Sequence, residues 1–290
     1  MSNTDNTRKF VFEQADIRGE IVHLDNTCAE INAIHQYAPG VSNLLGEFLA
    51  AAVLLSTTIK FEGRLILQAQ SQGDIPLLMA ECSNTLEVRA IARGAEEATA
   101  SAFSSLLRDG TLAITIEPFS GQRYQGIVPL DGDNLASCIE TYFENSEQLS
   151  TKLWLSCQGT TAAGLLLQQL PEQISHDATQ RAEKWEHLCT LADTLSAEEL
   201  LNTDQESLLY QLFHQDPLRL FPDENVKFAC SCSRQRCAAA LVALGAQELG
   251  SLFEEDPTVT IDCEFCNQQY HFKAEEFSDP AGDENPHSLH

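Results

Sequence analysis

Short apolar runs separated by turn residues fill residues 1–171. Runs with the length and composition of strands occupy residues 19–24, 64–70, 86–92, 112–116, 126–130, 152–156 and 164–170. Helical spacing of apolar positions instead marks residues 27–35, 41–60 and 134–144. Several strands follow one another without a helix between them, which favours an α+β fold over a doubly wound parallel sheet. We therefore predict an N-terminal α+β core domain over residues 1–171.

Residues 172–229 differ in character and predict a helical linker. They carry 12 acidic residues against four basic ones, a net charge of −8. Trp185, Leu188 and Ala192 fall on one face of a first predicted helix. Two capping boxes predict the starts of short helices after it: Ser196 with Glu199, and Thr203 with Glu206. Short acidic helices persist only if their apolar faces dock on a partner, which we expect the C-terminal segment to supply. The pattern leaves open whether this segment is a plain linker or a switchable element.

The third segment, residues 230–290, contains five of the ten cysteines. A helix is predicted from Ser233 to about residue 244, and a second one over residues 246–254. Two strands, at residues 258–261 and 270–272, would be joined by a turn that carries Cys263 and Cys266. The polar tail, residues 279–290, is predicted to be disordered.

Two close thiol pairs in this segment, Cys230-Ser-Cys232 and Cys263-Glu-Phe-Cys266, are separated by 30 residues. Thiol pairs that converge from distant positions are what a tetrahedral structural zinc requires, so we predict one zinc ion bound by all four. Asn267, directly after the second pair, tolerates the positive φ that such a turn needs. The CxC pair is unusual in static zinc ribbons, because a disulfide within it would close a small, strained and labile ring.

The residues around the four thiols support their ionised form. No acidic residue occurs from position 225 to position 247, whereas Lys227, Arg234 and Arg236 all lie within that stretch. Four thiolates on Zn²⁺ leave a formal charge of −2, which nearby cations would offset. An apolar helix at residues 238–244 is the alternative explanation for part of this gap in acidic residues.

Other cysteines and histidines compete less well as ligands. Cys237 lies on the predicted helix and is interpreted as a bystander or reserve thiol. His271 lies on a predicted strand, where a role outside the ligand set is favoured. The remaining five cysteines are scattered singly and are predicted to be buried structural thiols: Cys28, Cys82, Cys138, Cys157 and Cys189.

Composition argues against several functional classes. The net charge of −26 disfavours nucleic acid and anionic membrane surfaces as partners. The polar start of the chain lacks the apolar region of a secretory signal, and the apolar run at residues 48–55 is shorter than the about 20 residues of a membrane span, so we predict a buried helix and a cytoplasmic protein. No catalytic or cofactor-binding constellation is present in the sequence, which predicts a protein that is not an enzyme. A thioredoxin-like interpretation of Cys263 and Cys266 fails because a strand is predicted after them.

The cysteine pattern also resembles a known family. FACSCSRQRC followed by DCEFCNQQYHF is similar to the bacterial redox-regulated heat-shock chaperones, the 33 kDa chaperonin family. Weaker matches lie upstream of the cysteines, in the order expected for the family: Arg18-Gly19-Glu20, GQRYQG at residues 121–126, SEQL at residues 146–149, and Ala162-Ala163-Gly164. The resemblance therefore covers nearly the whole chain, and all four thiols match.

The resemblance implies an ATP-independent holdase that binds unfolding or oxidatively damaged client proteins. It implies an inactive reduced form with zinc bound, and activation by oxidants with loss of the zinc and unfolding of the linker. Carried over, the disulfides of the oxidised form would be Cys230–Cys232 and Cys263–Cys266, and the active form would be a homodimer. The competing hypothesis is a constitutive zinc-ribbon adaptor, for which 11 acidic against three basic residues from position 230 onward make nucleic acid an improbable partner.

Overall fold

All seven predicted strands and all three predicted helices of the N-terminal region are present in the computed structural model, with ends shifted by up to three residues. The structure describes residues 5–59 and 62–277. These belong to two compact units, residues 1–229 and residues 230–290. The prediction of an α+β fold is confirmed.

The larger unit contains twelve of the described strands and seven of the described α-helices. Strands β1 to β12 are Asn6–Phe12, Ile17–Leu24, Gly63–Gln70, Leu77–Ser83, Glu87–Arg93, Thr111–Pro118, Tyr124–Pro129, Thr151–Gln158, Thr161–Gln169, Leu218–Leu220, Glu224–Asn225 and Lys227–Phe228. Helices α1 to α7 are Asn26–Ile34, Pro39–Thr58, Phe103–Leu106, Leu135–Tyr142, Ala178–Ala192, Ala197–Asn202 and Gln205–Phe213. A π-helical turn, Phe143–Glu147, continues α4. Five of these strands, β1, β4 and β10 to β12, and the short helix α3 were not predicted.

Two six-stranded sheets organise the unit. In sheet A the order is β10-β1-β2-β9-β8, and β11 also pairs with β1. In sheet B the order is β12-β5-β4-β3-β6-β7. All neighbours are antiparallel except β12, which runs parallel to β5. Five of these pairs follow from the sequence, since consecutive strands without intervening helices pair as hairpins: β1–β2, β3–β4, β4–β5, β6–β7 and β8–β9.

Helix α2 packs against strands of both sheets, which explains its composition. Phe48, Leu49 and Leu54 are at most 1% exposed, and the helix has almost no polar face. By length and composition alone α2 could cross a membrane, but 72% of its apolar window is buried inside the protein. It is the central core helix of the larger unit, as the apolar run at residues 48–55 predicted.

Sheet A is buried on both faces. On β9, Leu166 packs with α2, while the neighbouring Leu165 and Leu167 point to the opposite face. There they form a second core with α5, α6 and α7, which includes Phe10, Leu209 and Phe213. The apolar faces of the linker helices therefore dock on sheet A. This corrects the expectation that the C-terminal segment would be their partner.

Polar contacts reinforce this docking at two buried carboxylates. Asp16, in the β1–β2 turn, accepts hydrogen bonds from the backbone N–H of Ile174 at 2.9 Å and of Ser175 at 3.3 Å, and it forms an ion pair with Arg181. Asp216 forms an ion pair with Lys184 and contacts His187 Nε2 at 3.0 Å.

The helix starts of the linker follow the capping rule with one correction. Ser196 and Glu199 form the predicted capping box. The predicted box of Thr203 with Glu206 is wrong, because Asp204 is the N-cap of α7 and its side chain accepts from Ser207 N at 3.0 Å. Asp204 stands beside Thr203 in the sequence, and its carboxylate is the stronger acceptor.

The smaller unit contains a hairpin and two helices. Its α8, α9, β13 and β14 are Arg234–Ala243, Ala246–Glu255, Thr258–Asp262 and Gln269–Lys273, and a 3₁₀ turn follows at Ala274–Phe277. Strands β13 and β14 pair antiparallel. The predicted helices and strands of this segment are confirmed, whereas the predicted disordered tail lies outside the described residues. The described part of this unit buries three apolar side chains as its core: Leu241, Leu249 and Phe272.

Candidate metal centre

The four predicted ligands lie at two places in the smaller unit. Cys230 and Cys232 immediately precede α8, where the Ser233 side chain caps the helix by accepting from Arg236 N at 3.2 Å. Cys263 and Cys266 lie in the turn between β13 and β14. The helix start and the hairpin turn thus present one cysteine pair each.

Backbone hydrogen bonds shape the hairpin turn around the Cys263 carbonyl. Its oxygen accepts from Cys266 N at 3.2 Å and from Asn267 N at 2.7 Å, and Cys263 N donates to Gln268 O at 2.9 Å. Asn267 has φ of 55°, in the left-handed region. The positive φ predicted for Asn267 is confirmed, and both Cys263 and Cys266 are held on one side of the turn.

The sulfur atoms of Cys230, Cys232, Cys263 and Cys266 all lie within 4.8 Å of one another. The Sγ atoms of Cys230 and Cys263 are 3.6 Å apart, and those of Cys232 and Cys266 are 3.5 Å apart. A tetrahedral zinc with Zn–S bonds of about 2.3 Å separates its sulfurs by about 3.8 Å. The four-thiol cluster therefore has the donor type, number and spacing of a structural zinc site.

Two of the four thiols need a cation to ionise in this environment. Burial raises the pKa of Cys263, and burial together with hydrogen bonds between Cys266 and its neighbouring thiols raises that of Cys266. A metal ion at the centre reverses this preference, since it stabilises thiolates directly. The environment thus couples ionisation of these cysteines to metal binding.

Comparison with known proteins places this arrangement in a family. A model of the Hsp33 protein family matches residues 5–273. The chain belongs to the Hsp33 family. Curated relatives named 33 kDa chaperonin include one from Pseudomonas paraeruginosa, 50% identical over 277 residues and covering 94% of this chain and 93% of the relative. Another, from Azotobacter vinelandii, is 52% identical with the same coverage.

A solved structure supports the same fold. The crystal structure of the 33 kDa chaperonin (heat shock protein 33 homolog) from Thermotoga maritima matches with a TM-score of 0.79 over 93% of this chain and 96% of that chain. Its sequence identity is 20%, so it bears on the fold alone. The family resemblance predicted from the cysteine motifs is confirmed.

In this Hsp33-family chain, two arginines brace the backbone that carries the thiols. Arg236 Nη1 donates to Ser231 O at 2.8 Å and to Ser231 Oγ at 2.9 Å, which fixes the residue between Cys230 and Cys232. Arg234 donates to His271 O at 2.7 Å and to Glu276 at 2.5 Å, and its guanidinium lies 4.4 Å from the Phe272 ring centroid.

The third predicted cation has a different role. Lys227 belongs to the larger unit and forms an ion pair with Glu87 at 2.9 Å. The prediction that Lys227 offsets the charge of the thiolates is therefore not supported, because its ammonium already has a carboxylate partner. The two arginines act on the thiols through the backbone that they hold.

Tyr270 contacts the cluster of four thiols, and the sequence interpretation missed it. Its hydroxyl lies 3.2 Å from Cys232 Sγ, and this hydrogen bond raises the pKa of Tyr270. Tyr270 pairs with Ile261 across the hairpin. Its position on β14, four residues after Cys266, was the available signal, because a strand leaving the turn returns alternate side chains to the same face.

Cys237 and His271 stand outside the cluster of four thiols. Cys237 is half-buried, and its pKa is raised by burial and by the proximity of Cys232 and Cys230. His271 Nδ1 instead contacts Thr260 Oγ1 across the hairpin at 2.9 Å. The five scattered cysteines are buried, as predicted: Cys28, Cys82, Cys138, Cys157 and Cys189.

Proposed function

We propose that this protein is a redox-regulated, ATP-independent holdase that binds unfolding or oxidatively damaged proteins and prevents their aggregation. Membership of the Hsp33 family and the 33 kDa chaperonin names of its relatives support a chaperone. The observation that carries the redox part is the cluster of four reduced thiols in a unit with a very small core. The proposal includes a cytoplasmic location, a homodimeric active form, and no nucleic-acid, membrane or enzymatic role.

In the reduced form, Cys230, Cys232, Cys263 and Cys266 would hold one zinc ion as thiolates. A zinc ion there supplies a covalent-strength link between the start of α8 and the β13–β14 turn. Structural zinc adds about 10–16 kcal/mol of apparent folding free energy in small zinc peptides, whereas a small core alone rarely exceeds about 3–5 kcal/mol. The four thiolates would therefore determine whether the smaller unit is folded.

Oxidation would convert the four thiolates into two disulfides and remove all four ligands. Each disulfide releases two electrons to an oxidant of the peroxide class. In the structure, the short Sγ–Sγ contacts each join one cysteine of the first pair to one of the second: Cys230 with Cys263, and Cys232 with Cys266. Bridges within each pair, Cys230–Cys232 and Cys263–Cys266, are nevertheless favoured once the unit has unfolded, because the smallest loops close at the lowest entropic cost.

The linker helices offer the client-binding surface. They cover the outer face of sheet A, where Phe10, Leu165 and Leu167 are fully buried against them. Undocking α5 to α7 would expose this apolar face together with their own, and contiguous apolar patches bind unfolded chains. The net charge of −8 on residues 172–229 would keep such a complex soluble.

The test is light scattering of a heat-denatured client with reduced and with peroxide-treated protein, without nucleotide. We expect suppression of scattering by the oxidised protein only. The double variant Cys230→Ser/Cys263→Ser removes one thiol from each pair, so it should lack zinc and suppress scattering without peroxide, whereas the matched control Cys237→Ser should require peroxide as the wild type does. Unchanged scattering with oxidised wild-type protein would refute the holdase and favour the adaptor hypothesis.

A further inference from the structure

Three sequence motifs of the larger unit take no part in the metal centre, yet they meet in the fold. Arg18 of the first motif, Tyr124 of the stretch 121–126, and Glu147 of the stretch 146–149 line one cavity of about 370 Å³. Its walls come from both sheets and from the C-terminal end of α2. This volume is in the range of small-molecule sites.

The inner wall of the cavity is apolar. Leu55 and Leu65 are fully buried, Ile114 is 3% exposed and Phe143 is 6% exposed. These side chains come from α2, β3, β6 and the π-helical turn, all parts of the main core. The wall is therefore rigid and suited to an aliphatic or aromatic group.

Arg18 places a positive charge on one side of the cavity. Its Nε and Nη2 donate to Gln168 Oε1 at 3.1 and 2.5 Å, and Nη2 also donates to Thr58 O at 3.0 Å. Within the described residues, Nη1 has no hydrogen-bond acceptor and no carboxylate lies within 4.0 Å of the guanidinium. A guanidinium held by neutral acceptors retains the capacity to bind an anion.

The acidic side chain that acts electrostatically on Arg18, that of Glu20, does not neutralise it by direct contact. Glu20 accepts instead from Thr7 Oγ1 at 2.5 Å. Burial raises the pKa of Glu20 to about 7, so its charge is incomplete at neutral pH. A ligand carboxylate would give Arg18 the direct ionic partner that the described residues do not provide.

A negative charge lies on another side of the cavity. Glu147 Oε1 accepts hydrogen bonds from Tyr124 and Tyr142, each at 3.0 Å. Gly126 makes this possible, since a Cβ there would lie 2.2 Å from the Tyr142 ring. The Glu147 carboxylate is exposed at the cavity mouth and retains an oxygen for a further donor.

The backbone beside Glu147 is unusual. The turn Phe143–Glu147 is π-helical, and Gln148, which follows it, has φ of 53°. π-helical turns interrupt regular helices at some cost and are frequent at functional sites. Here the turn places both Phe143 and Glu147 on the cavity.

We propose that this cavity binds a small zwitterion, an amino acid with an apolar side chain. Its carboxylate pairs with Arg18, its ammonium group with Glu147, and its side chain packs on Leu55 and Ile114. The site is separate from the metal centre, and its test requires neither a client nor an oxidant.

The experiment is ligand-observed NMR on the reduced full-length protein with three related probes. L-Phenylalanine carries both charges, 3-phenylpropionate lacks the ammonium group, and phenethylamine lacks the carboxylate. Because each charge-assisted hydrogen bond is strong relative to a neutral one, we expect L-phenylalanine to bind about tenfold or more tightly than either analogue. Equal binding of L-phenylalanine and 3-phenylpropionate, or no binding of L-phenylalanine, overturns the proposal.

Two variants locate the binding. Glu147→Gln removes the negative charge but keeps an oxygen that accepts hydrogen bonds from the two tyrosines. The side chain of residue 147 is exposed, so this variant should fold. Arg18→Gln removes the cation, and circular dichroism checks its fold. Both should weaken L-phenylalanine binding about tenfold, whereas Arg108→Gln, at an exposed site that does not line the cavity, should not. Unchanged affinity in folded Glu147→Gln also overturns the proposal.

Discussion

The two compact units differ in what holds them together. The larger unit has a core helix between two sheets and a second core on the outer face of sheet A. The smaller unit has three buried apolar side chains and a cluster of four thiols. A small domain with so little core needs an additional link to remain folded. We therefore expect the larger unit to be stabilised by its own two cores, and the stability of the smaller unit to depend on its cysteines.

Removing one thiol should produce the largest effect and tests this comparison directly. Cys232→Ser leaves three ligands, so we expect loss of bound zinc and unfolding of residues 230–277, with amide protection of helix α2 in the main core of the larger unit unchanged. A structural zinc ion contributes about 10–16 kcal/mol of apparent folding free energy, and the variant would lose this contribution. Metal analysis and hydrogen exchange measure both outcomes.

Cys237→Ser is the matched control for this change, because Cys237 is near the cluster but outside the four closely spaced thiols. It should retain zinc and amide protection. Full zinc retention in Cys232→Ser together with loss in Cys237→Ser would show that the ligand set is wrong. Loss of amide protection in helix α2 of Cys232→Ser would contradict the independence of the main core of the larger unit.

The linker is expected to respond next, at its aromatic anchor. Phe213 is 1% exposed and its ring centroid lies 5.2 Å from that of Phe12. Phe213→Ala should weaken docking of α7 on sheet A by about 3–5 kcal/mol through the lost burial and the cavity left behind. We expect faster amide exchange in α7 and anti-aggregation activity in the reduced protein.

Tyr210 provides the control on the same helix, since it is 72% exposed. Tyr210→Ala should leave exchange and reduced-state activity near the wild-type values. Loss of α7 protection in Phe213→Ala without any gain of activity would show that linker undocking is not what exposes the client-binding surface.

A smaller effect is expected at the carboxylate that holds the start of the linker. Asp16→Ala removes the acceptor of two backbone N–H groups and the partner of Arg181, which should cost about 1–3 kcal/mol. Exposed Asp133→Ala is the control. Amide hydrogen exchange at residues 172–181 measures the change. Equal exchange in both variants would mean that Asp16 does not stabilise the start of the linker.

The same carboxylate predicts a pH dependence. Burial by itself raises the pKa of Asp16, but hydrogen bonds from Ile174, Gln173 and Ser175 and the charge of Arg181 outweigh it and lower the pKa. A depressed pKa in the folded state means that the stabilisation is present above the pKa of the unfolded chain, 3.8, and is lost as the pH falls through the folded value. Amide protection of residues 172–181 should therefore decrease below about pH 4 in the wild type. In Asp16→Ala, which lacks this carboxylate, the same drop in pH should cause no such decrease.

The elements that the sequence predicted correctly are those with local signals. The four thiols and the Asn267 turn follow from spacing and from backbone preference. Strand β4 was missed because its sequence, LLMAECS, is rich in Leu, Met and Ala, which favour helices, and pairing between β3 and β5 overrides that preference. Strand β1 was missed because Arg8 and Lys9 interrupt its apolar positions.

Non-local partners could not be predicted. The pattern around Trp185 and Leu188 identifies an apolar helix face, but nothing in it states which surface the face will cover. Contacts place residues 172–229 with the larger unit, whereas their separate role as a linker stays a prediction, as do the functional boundaries at residues 171 and 229. Lys227 was likewise assigned by sequence distance to the thiols, although its partner Glu87 is 140 positions away.

The smallest expected effect is at Tyr270, and it sharpens the comparison at the level of a single thiol. The Tyr270 hydroxyl lies 3.2 Å from Cys232 Sγ, so it is the donor whenever Cys232 is a thiolate, and a hydrogen bond to a thiolate lowers its nucleophilicity. Tyr270→Phe keeps the ring and removes this donor, so we expect the reduced protein to retain zinc while peroxide oxidises it about two- to tenfold faster. Stopped-flow measurement of zinc release with a chromogenic chelator gives the rate. His271→Ala is the control, because His271 is the next residue on β14 and its side chain is hydrogen-bonded to Thr260. This variant should not change the rate of zinc release. An unchanged or slower release in Tyr270→Phe would mean that the hydroxyl does not protect Cys232, and that the four thiols alone set the sensitivity of the smaller unit to oxidants.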